Sequence, residues 1–531
     1  MLTPPTNGTT MLTMPTFTKR QPLIVLAVVL VAAYAINLDT TIVNVALPTL
    51  NVRLGAGTSS LQWVVDGYNL AFAALVLAGG NIGDRYGRRE TLGAGLGLFA
   101  VASVVAALCT DVGELIAVRF AMGAAAALIY PTTLSIITNT FPDRRARAAA
   151  IGAWGAVTGL GVATGPVIGG ALLERFWWGS VFLALIPVAI VALVGAWLVV
   201  PRSRLADRAP LDRTGLGLSV VALGSLVFTI IEAPDHGWLS PRSMAGFLLT
   251  AGVVVLFVGW ERSRQDPMLD VGLFTNLRFS AASGSVTVAF FSLFGFIFLI
   301  TQYFQQLRDY SPLSTGVRIL PVAFSIAVSS IVGSRLLVRL GNKAVVAGGL
   351  LSLAAAFAWI AMSASLVKYD LIAAQMVLLG TGMGLTSAGA TESIMGVVKP
   401  EQAGAGSAVN DATREIGGTL GVAVLGSVYS TLYAHSLDRS SAVPAALLHR
   451  ATTSFGAGRA VATHLQGAAG VAFGHAVTQS FMVGLHAACF VAAGVCLTGA
   501  VAVTALLPSR PGQAPALAAA SASAPPCPAT V

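Results

Sequence analysis

Fourteen runs of about 20 predominantly apolar residues divide the chain between residues 22 and 507, and this feature constrains the fold most. A helix of about 20 apolar residues crosses a hydrocarbon core about 30 Å thick. Charged residues make up 10 % of the 531 residues, against about 25 % in soluble domains. Because polar groups are too few to cover a water-facing surface, the sequence predicts an all-α, multi-pass protein of the cell membrane. The runs begin near Leu23, Ser60, Thr91, Gly113, Arg147, Gly179, Arg213, Met244, Phe279, Ser314, Lys343, Tyr369, Gly404 and Ser480.

Lysine and arginine are divided unequally between the two sides of the predicted membrane. With the N-terminus in the cytoplasm, 20 of the 31 Lys and Arg fall on cytoplasmic segments and nine fall outside. Since cytoplasmic loops normally hold such an excess, both termini are predicted to be cytoplasmic. The net charge of +9 is not arranged as a basic stripe with interleaved aromatic residues, so no nucleic-acid partner is expected.

Three segments lie outside the apolar runs. Residues 1–21 are rich in Thr and Pro and residues 508–531 are of low complexity, so both are predicted to be disordered. Residues 434–479 form a long external segment with four histidines, whose spacing fits no metal template. A hairpin of short amphipathic pieces is the expected structure there, and no metal site is predicted.

Within the stretch GNIGDRYGRRETL, residues 80–92, the six residues 84–89 hold one acid and three arginines in a short cytoplasmic turn. Its glycines let helices and backbone approach closely. The acid can pair with a neighbouring arginine or lie near a helix N-terminus. Charge at a tight turn on the cytoplasmic side also fixes topology, so this pattern alone is compatible with any two-helix hairpin.

The order of these residues resembles the signature loop of the major facilitator superfamily, G-x-x-x-D-R-x-G-R-[KR]. Other stretches resemble the fourteen-helix drug:proton antiporter branch, which includes exporters of the Qac, Emr and Lfr type. The sequence departs from the family pattern at Met122, where glutamine is usual, and at Ala125, where glycine is frequent. The matching stretches are LDTTIVNVALP (38–48), RFAMGAAAALIYP (119–131), GLGVATGPVIGG (159–170), ERSRQDPMLDVGLF (261–274), QYFQQLRDYSPLSTGVRILP (302–321) and AGAGSAVNDATREIGGTLGVAVLGS (403–427).

The resemblance implies a major facilitator fold with 14 transmembrane helices arranged as 6+2+6. Residues 22–200 would form an N-terminal six-helix bundle, 201–277 a linker with two inserted helices, and 278–507 a C-terminal six-helix bundle. The turn would act as a cytoplasmic latch, made and broken as the bundles rock; its residues are Gly80, Asp84, Arg85, Gly87, Arg88 and Arg89. The fifth helix would carry the antiporter motif, which favours export; its residues are Gly161, Gly165, Pro166, Gly169 and Gly170.

Ionisable residues within transmembrane helices are costly and mark function by default. Counted at about 1.5 Å per residue, Asp39, Asp66 and Arg119 lie at a similar depth on three different helices. A shared polar site for proton coupling would explain that coincidence, because pairing offsets desolvation. The alternative is a structural Asp–Arg pair that orients helices. The resemblance implies the coupling role for Asp39 and Arg119, and exporters of organic cations have an acid at the place of Asp66.

A second group of charges lies on the thirteenth predicted helix. Asp411 and Glu415 are four residues apart and share a helix face, with Arg414 beside them. They are candidates for a substrate or proton site, and a charge network that holds the helix is an equal alternative. Trp63, Tyr68 and Tyr303, together with Trp154 and Phe304, are aromatic candidates for a cavity that binds cations. The predicted substrate-binding set is therefore Asp66, Asp411, Glu415, Trp63, Tyr68 and Tyr303.

These features predict a proton-coupled efflux antiporter that exports lipophilic, cationic drugs or antiseptics. The alternative is a dedicated exporter of a neutral antibiotic or other secondary metabolite. No enzyme activity and no cofactor are expected, since the helices hold no nucleophile–base or metal set and the sequence lacks the phosphate-binding pattern G-x-x-x-x-G-K-[ST]. The proton gradient would supply the energy. The expected partners are small-molecule drugs, protons and membrane lipids, and the protein is expected to be a monomer.

Overall fold

The computed structural model describes residues 21–203, 212–264, 267, 269–363, 368–395, 397, 403–440, 443–465 and 467–507. The described part of the chain is helical, and it contains no strand. Its α-helices are α1 Gln21–Arg53, α2 Thr58–Tyr86, α3 Arg88–Leu108, α4 Val112–Thr140, α5 Arg144–Arg175, α6 Ser180–Leu183, α7 Leu185–Val199, α8 Arg213–His236, α9 Pro241–Ser263, α10 Leu277–Gln302, α11 Pro312–Ala361, α12 Tyr369–Met395, α13 Ala403–Ser440, α14 Ala445–Thr452, α15 Phe455–His464 and α16 Gly467–Leu506.

Thirteen helices in the described residues are long and apolar enough to cross a membrane. The longest, α11, has 50 residues and at about 1.5 Å per residue is far longer than one crossing requires. It is interrupted at Gly341, whose φ of 79° lies in the region that glycine tolerates and other residues avoid. The two parts, 312–340 and 342–361, are each long enough to cross. This interruption supports the count of fourteen crossings, which stays a prediction.

The helices pack in two groups with an additional pair beside them. In the first, α1 packs against α5 and α7, and α2 packs against α4; in the second, α10 packs against α13, and α11 packs against α12 and α16. The pair α8 and α9 contacts the rest through α8, which lies against α2 and α13. The inserted pair therefore sits at the seam where the two groups meet.

The segment between the last two long helices differs from the expected boundary. Residues 434–479 were expected to be external up to a last helix near Ser480, but α16 already begins at Gly467 and has 40 residues. The short helices α14 and α15 lie before it. They touch both groups, since Asn51 of α1 donates to Ser454 Oγ at 2.9 Å and the Tyr433 hydroxyl of α13 donates to the Ala451 carbonyl at 3.0 Å.

The two groups meet tightly at the end predicted to face outside. A Cβ at Gly316 of α11 would overlap the Pro166 carbonyl of α5, and a Cβ at Gly170 would meet Leu313. Gly155 and Gly159 lie eleven residues before Pro166 and Gly170, which is about three helical turns, so they share the same face of α5. A Cβ at either would meet nothing within 4 Å. The α11-facing side of α5 is therefore packed at the end predicted to face outside, and it leaves space beside Gly155 and Gly159 at the end predicted to face the cytoplasm.

This asymmetry predicts different outcomes for two matched substitutions. Gly316→Leu should destabilise the described arrangement by about 1–3 kcal/mol, because its side chain would be forced into the α5 backbone. Gly155→Leu makes the same chemical change in open space and should have little effect. Thermal unfolding of both variants in detergent, followed by intrinsic fluorescence, checks this prediction. Equal losses of melting temperature in the two variants would contradict it.

Candidate functional site

A buried ion pair joins the first and fourth helices. Arg119 Nη1 lies 2.9 Å and 2.8 Å from the two carboxylate oxygens of Asp39, and its Nε donates to the Val64 carbonyl at 2.9 Å. The guanidinium also lies 4.3 Å from the centre of the Tyr68 ring. Asp39 and Arg119 are 0 % and 1 % exposed. The pair therefore holds α1, α2 and α4 together without help from water.

Close approach between the backbones of α2 and α4 lets the Arg119 side chain reach Asp39 of α1. A Cβ at Gly123 of α4 would overlap the Tyr68 carbonyl of α2, so only glycine allows these two helices to meet there. Met122, the residue that departs from the family pattern, places its sulfur 3.9 Å from Arg119 Nη1. A thioether is only a weak acceptor, and it adds little to the pairing with Asp39.

Asp66 lies apart from this pair. It is fully buried, and neither carboxylate oxygen has a hydrogen-bond partner within the described part of the chain. Gln62, Asp66 and Asn69 are spaced four and three residues apart and share one face of α2. That face meets α13, because the Gln62 amide donates to the Ala423 carbonyl at 2.9 Å. Asp66 is thus a lone carboxyl at the seam between the two groups of helices.

Four aromatic rings form a continuous row in the N-terminal group. The centroid distances are 6.1 Å from Tyr68 to Phe72, 5.6 Å from Phe72 to Tyr130, and 4.9 Å from Tyr130 to Trp154. Trp154 Nε1 donates to Thr133 Oγ1 at 3.0 Å, which fixes its ring. The row begins at the Asp39–Arg119 pair, and neighbouring rings meet at interplanar angles of 67°, 76° and 56°, so they pack edge to face or tilted within the buried core.

The acids of α13 face this aromatic row from the C-terminal group. Asp411, Arg414 and Glu415 all interact electrostatically with Tyr130, and Glu415 also interacts with Tyr68. Arg414 lies 5.3 Å from the centre of the Phe290 ring. One carboxylate oxygen of Glu415 is buried without a hydrogen-bond partner in the described residues. Charges of the C-terminal group and aromatic rings of the N-terminal group therefore share one region.

Two of the predicted substrate-binding aromatics lie elsewhere. Trp63 packs between Phe120 and Phe228, with centroid distances of 6.1 Å and 6.2 Å, where α2 meets α8. Tyr303 lies inside the C-terminal group beside Phe304, lining a cavity of about 40 Å³. The structure does not bring either residue to the region where the other candidates meet.

The charged turn connects helices of the N-terminal group. Asp84 accepts from Arg88 Nε at 2.8 Å, and Arg88 Nη1 donates to the Ser135 carbonyl of α4 at 3.2 Å. Gly87 has a φ of 115° and separates α2 from α3, a conformation that other residues rarely adopt. The Arg88 backbone N–H donates to the Ser203 carbonyl. In the described arrangement these contacts fix the ends of α2, α3 and α4 that are predicted to face the cytoplasm.

The remaining residues of the turn have smaller roles in packing. A Cβ at Gly80 would lie 3.5 Å from Pro131 of α4. Arg85 lies 5.6 Å from the centre of the Tyr86 ring, and Arg89 lies 5.0 Å from the centre of the Trp197 ring. Arg89 thus connects the start of α3 to α7.

The glycine-rich stretch of α5 contacts two helices at once. Cβ atoms at Gly161, Gly165 and Gly169 would meet Asn37, Thr41 and Ile42 of α1, respectively. Pro166 and Gly170 instead face α11, as described above. Small residues at these positions let α5 lie directly against α1 on one side and against the C-terminal group on the other.

Residues 29–422 match the model of the Major Facilitator Superfamily. The chain belongs to that superfamily. It is similar to the multidrug efflux pump LfrA of Mycolicibacterium smegmatis, with 32 % identity, covering 90 % of this chain and 95 % of LfrA. It is also similar to a puromycin resistance protein of Streptomyces alboniger, with 36 % identity over 79 % of this chain and 84 % of that protein. The protein is therefore a multi-pass membrane transporter of the inner membrane and not an enzyme.

A solved structure shares the fold. A bacterial homologue of the human lysosomal transporter Spinster, in an inward-facing and occupied conformation, superposes with a TM-score of 0.66 at 17 % identity. The match covers 92 % of this chain and 98 % of that chain. This likeness confirms the expected major facilitator fold.

Sequence reasoning missed several residues of the site. Phe72 and Tyr130 complete the aromatic row, and Gln62 and Asn69 flank Asp66 on α2. The spacing of Gln62, Asp66 and Asn69 was a visible signal, because polar residues at four- and three-residue intervals define a helix face. Phe72 gave no signal, since one more phenylalanine in an apolar helix is ordinary.

The buried pair predicts strong coupling between two substitutions. Asp39→Asn or Arg119→Gln alone leaves a buried charge without its partner and should cost about 3–5 kcal/mol. The double variant should lose less than the sum of the two, because neither charge remains. Thermal unfolding of the three variants in detergent checks this prediction.

An exposed pair supplies the matched control. Asp309 and Arg459 lie 2.7 Å apart with side chains 69 % and 50 % exposed. Asp309→Asn and Arg459→Gln should each cost less than about 1 kcal/mol and should add. Simple additivity at Asp39 and Arg119 would contradict the role of that pair in stability.

Proposed function

We propose that this protein is a proton-coupled multidrug efflux antiporter that exports lipophilic, cationic drugs. The observation that carries the proposal is Asp66, a buried carboxyl at the seam between the helix groups whose oxygens have no partner among the described residues. The similarity to a multidrug efflux pump supports drugs as the substrate class.

Drug is exchanged for a proton because the two cannot bind the Asp66 carboxylate at the same time. A buried carboxylate without a partner is costly. Either a proton or a cationic substrate removes that cost, and the two cannot act on the same carboxylate together. When the site opens to the outside, a proton replaces the drug. When it opens to the cytoplasm, a cationic drug replaces the proton.

The Asp39–Arg119 pair couples proton binding to movement of the helices. A proton on Asp39 would remove the negative charge that holds Arg119 between α1, α2 and α4. Arg119 would then be a buried cation without its counter-charge, which favours a rearrangement of these helices. Because α1 lies against the glycines of α5, and α5 lies against α11, a shift of α1 is transmitted to the contact between the two groups.

Alternating access follows from these contacts. The outer contacts of Gly170 with Leu313 and of Asn51 with Ser454 must break for the outside to open. The open cytoplasmic half of α5 must then close against α11. The charged turn of Asp84 and Arg88 lies at that cytoplasmic end and would act as the latch.

A second candidate function is export of one neutral antibiotic. The similarity to a puromycin resistance protein supports an antibiotic as the substrate, and the aromatic row from Tyr68 to Trp154 offers apolar contacts that need no charge on the ligand. The two candidates differ in their need for Asp66, because a neutral ligand has no use for a carboxylate partner.

Efflux of ethidium tests the proposal. In vesicles with an imposed proton gradient, the native protein should drive ethidium transport, and Asp66→Asn should reduce it to the background of empty vesicles. Asp39→Asn should abolish transport as well, because the proton-dependent release of Arg119 is lost. Asp270→Asn is the matched control, since Asp270 is an exposed N-cap and asparagine caps a helix equally well.

The outcomes separate the two candidates. Gradient-driven ethidium transport that persists in Asp66→Asn contradicts the role given to Asp66. If the native protein moves puromycin whose amine is blocked by acetylation, so that it carries no cationic amine, but moves no ethidium, the cation proposal fails and the neutral antibiotic exporter takes its place.

A further inference from the structure

A cavity lined by both charged and apolar side chains lies between α8 and α9, away from the region where the transport candidates meet. Its volume is about 380 Å³, within the range of cavities that hold small ligands. Glu232 and His236 of α8 and Arg242 of α9 line it together with Phe228 and Leu249. Nothing in the proposed transport mechanism uses these charges, so the α8–α9 cavity requires its own explanation.

The three ionisable groups are held in a fixed order. Arg242 Nη1 lies 2.6 Å from His236 Nε2, and His236 Nδ1 lies 3.1 Å from the Glu232 carbonyl. Because a guanidinium can only donate, Nε2 is the acceptor in this contact, and Nδ1 is the ring nitrogen that can donate to the Glu232 carbonyl. This hydrogen bond to His236 therefore holds the Arg242 guanidinium at one side of the cavity.

Glu232 remains on the other side with its charge available. Its carboxylate accepts no hydrogen bond from a described residue, and the nearest ring nitrogen of His236 lies 3.9 Å away. No ion pair forms between Glu232 and Arg242 in the part of the chain that the structure describes. The cavity thus presents one anionic and one cationic group, each able to bind a charge of the opposite sign.

The position of the cavity matches the boundary of a lipid bilayer. The 24 residues of α8 rise about 36 Å, more than the hydrocarbon core of about 30 Å. Glu232 and His236 occupy its last turn, so they reach the head-group region. Phe228 lies one turn deeper, and the exposed side chain of Leu249 continues an apolar wall at acyl-chain depth.

We propose that the α8–α9 cavity binds a phospholipid whose head group carries a primary ammonium, of the phosphatidylethanolamine class. The phosphate would bind the remaining N–H groups of Arg242, and the ammonium would donate to Glu232. A choline head group carries the same charges but no N–H donor, so it cannot satisfy Glu232. The inference is independent of the proposed transport function.

A methylation series of one lipid tests this inference. The full-length protein in detergent is offered equimolar phosphatidylethanolamine and its N-methyl, N,N-dimethyl and choline forms with identical acyl chains. Retention measured by native mass spectrometry should fall with each methyl group, to about one tenth between the ethanolamine and choline forms. Equal retention of all four lipids overturns the proposal without need of any variant.

Variants separate the two ends of the head group. Glu232→Leu should flatten the methylation series, because leucine has no acceptor, whereas Arg242→Gln should lower retention of every phospholipid. Arg459→Gln, at an exposed arginine on the same predicted side, should change neither. If soluble glycerophosphoethanolamine displaces the lipids at equal concentration, the site recognises a free head group and the lipid assignment is overturned.

Discussion

The ion pair of Asp39 and Arg119 is the interaction on which the rest of the structure depends. It lies where three helices of the N-terminal group meet, with almost no exposure to solvent. Either charge alone would be costly in that place, so α1 and α4 cannot separate there while both remain charged. The neighbouring helices are arranged around this constraint, since Gly123 admits the Tyr68 backbone and Tyr68 covers the guanidinium.

Glycine carries the effect of that pair to the other half of the molecule. Gly165 of α5 lies against Thr41 of α1, two residues from Asp39, and Gly316 of α11 lies against Pro166 of α5. At these glycines the helices meet through backbone atoms and the short Thr41 side chain, which leaves little room to absorb a displacement. Packed backbones that meet directly tend to exchange between discrete arrangements and not to deform continuously. A change of charge at Asp39 is therefore placed to act on the contact between the two helix groups.

The fold was accessible from the sequence because its signals are local. Apolar runs report helices, and the order of residues around Asp84 and Pro166 is specific to one superfamily. The predicted start of the last helix was wrong, since the residues before Ser480 are helical from Gly467 but too mixed in polarity to be identified as part of a membrane crossing.

The region where the candidate residues meet could be predicted from the sequence only in part. Depth along a helix can be counted from the sequence, so Asp39 and Arg119 were correctly predicted to lie at a similar depth. Rotation about the helix axis could not be counted, so Asp66, Trp63 and Tyr303 were grouped with residues that they do not contact.

The placement of Asp66 gives the inserted helices α8 and α9 a structural role beside this carboxyl. The polar face of α2 that holds Asp66 meets α13, and α8 packs against both of these helices. Ser427 of α13 donates to the Ile230 carbonyl of α8 at 2.9 Å, and it also accepts from Gln62 of α2 at 3.2 Å. One hydroxyl thus connects the polar face of α2 to the inserted pair. A lipid held between α8 and α9 would lie on the outer side of that connection, which is how the membrane itself could influence the environment of a buried carboxyl.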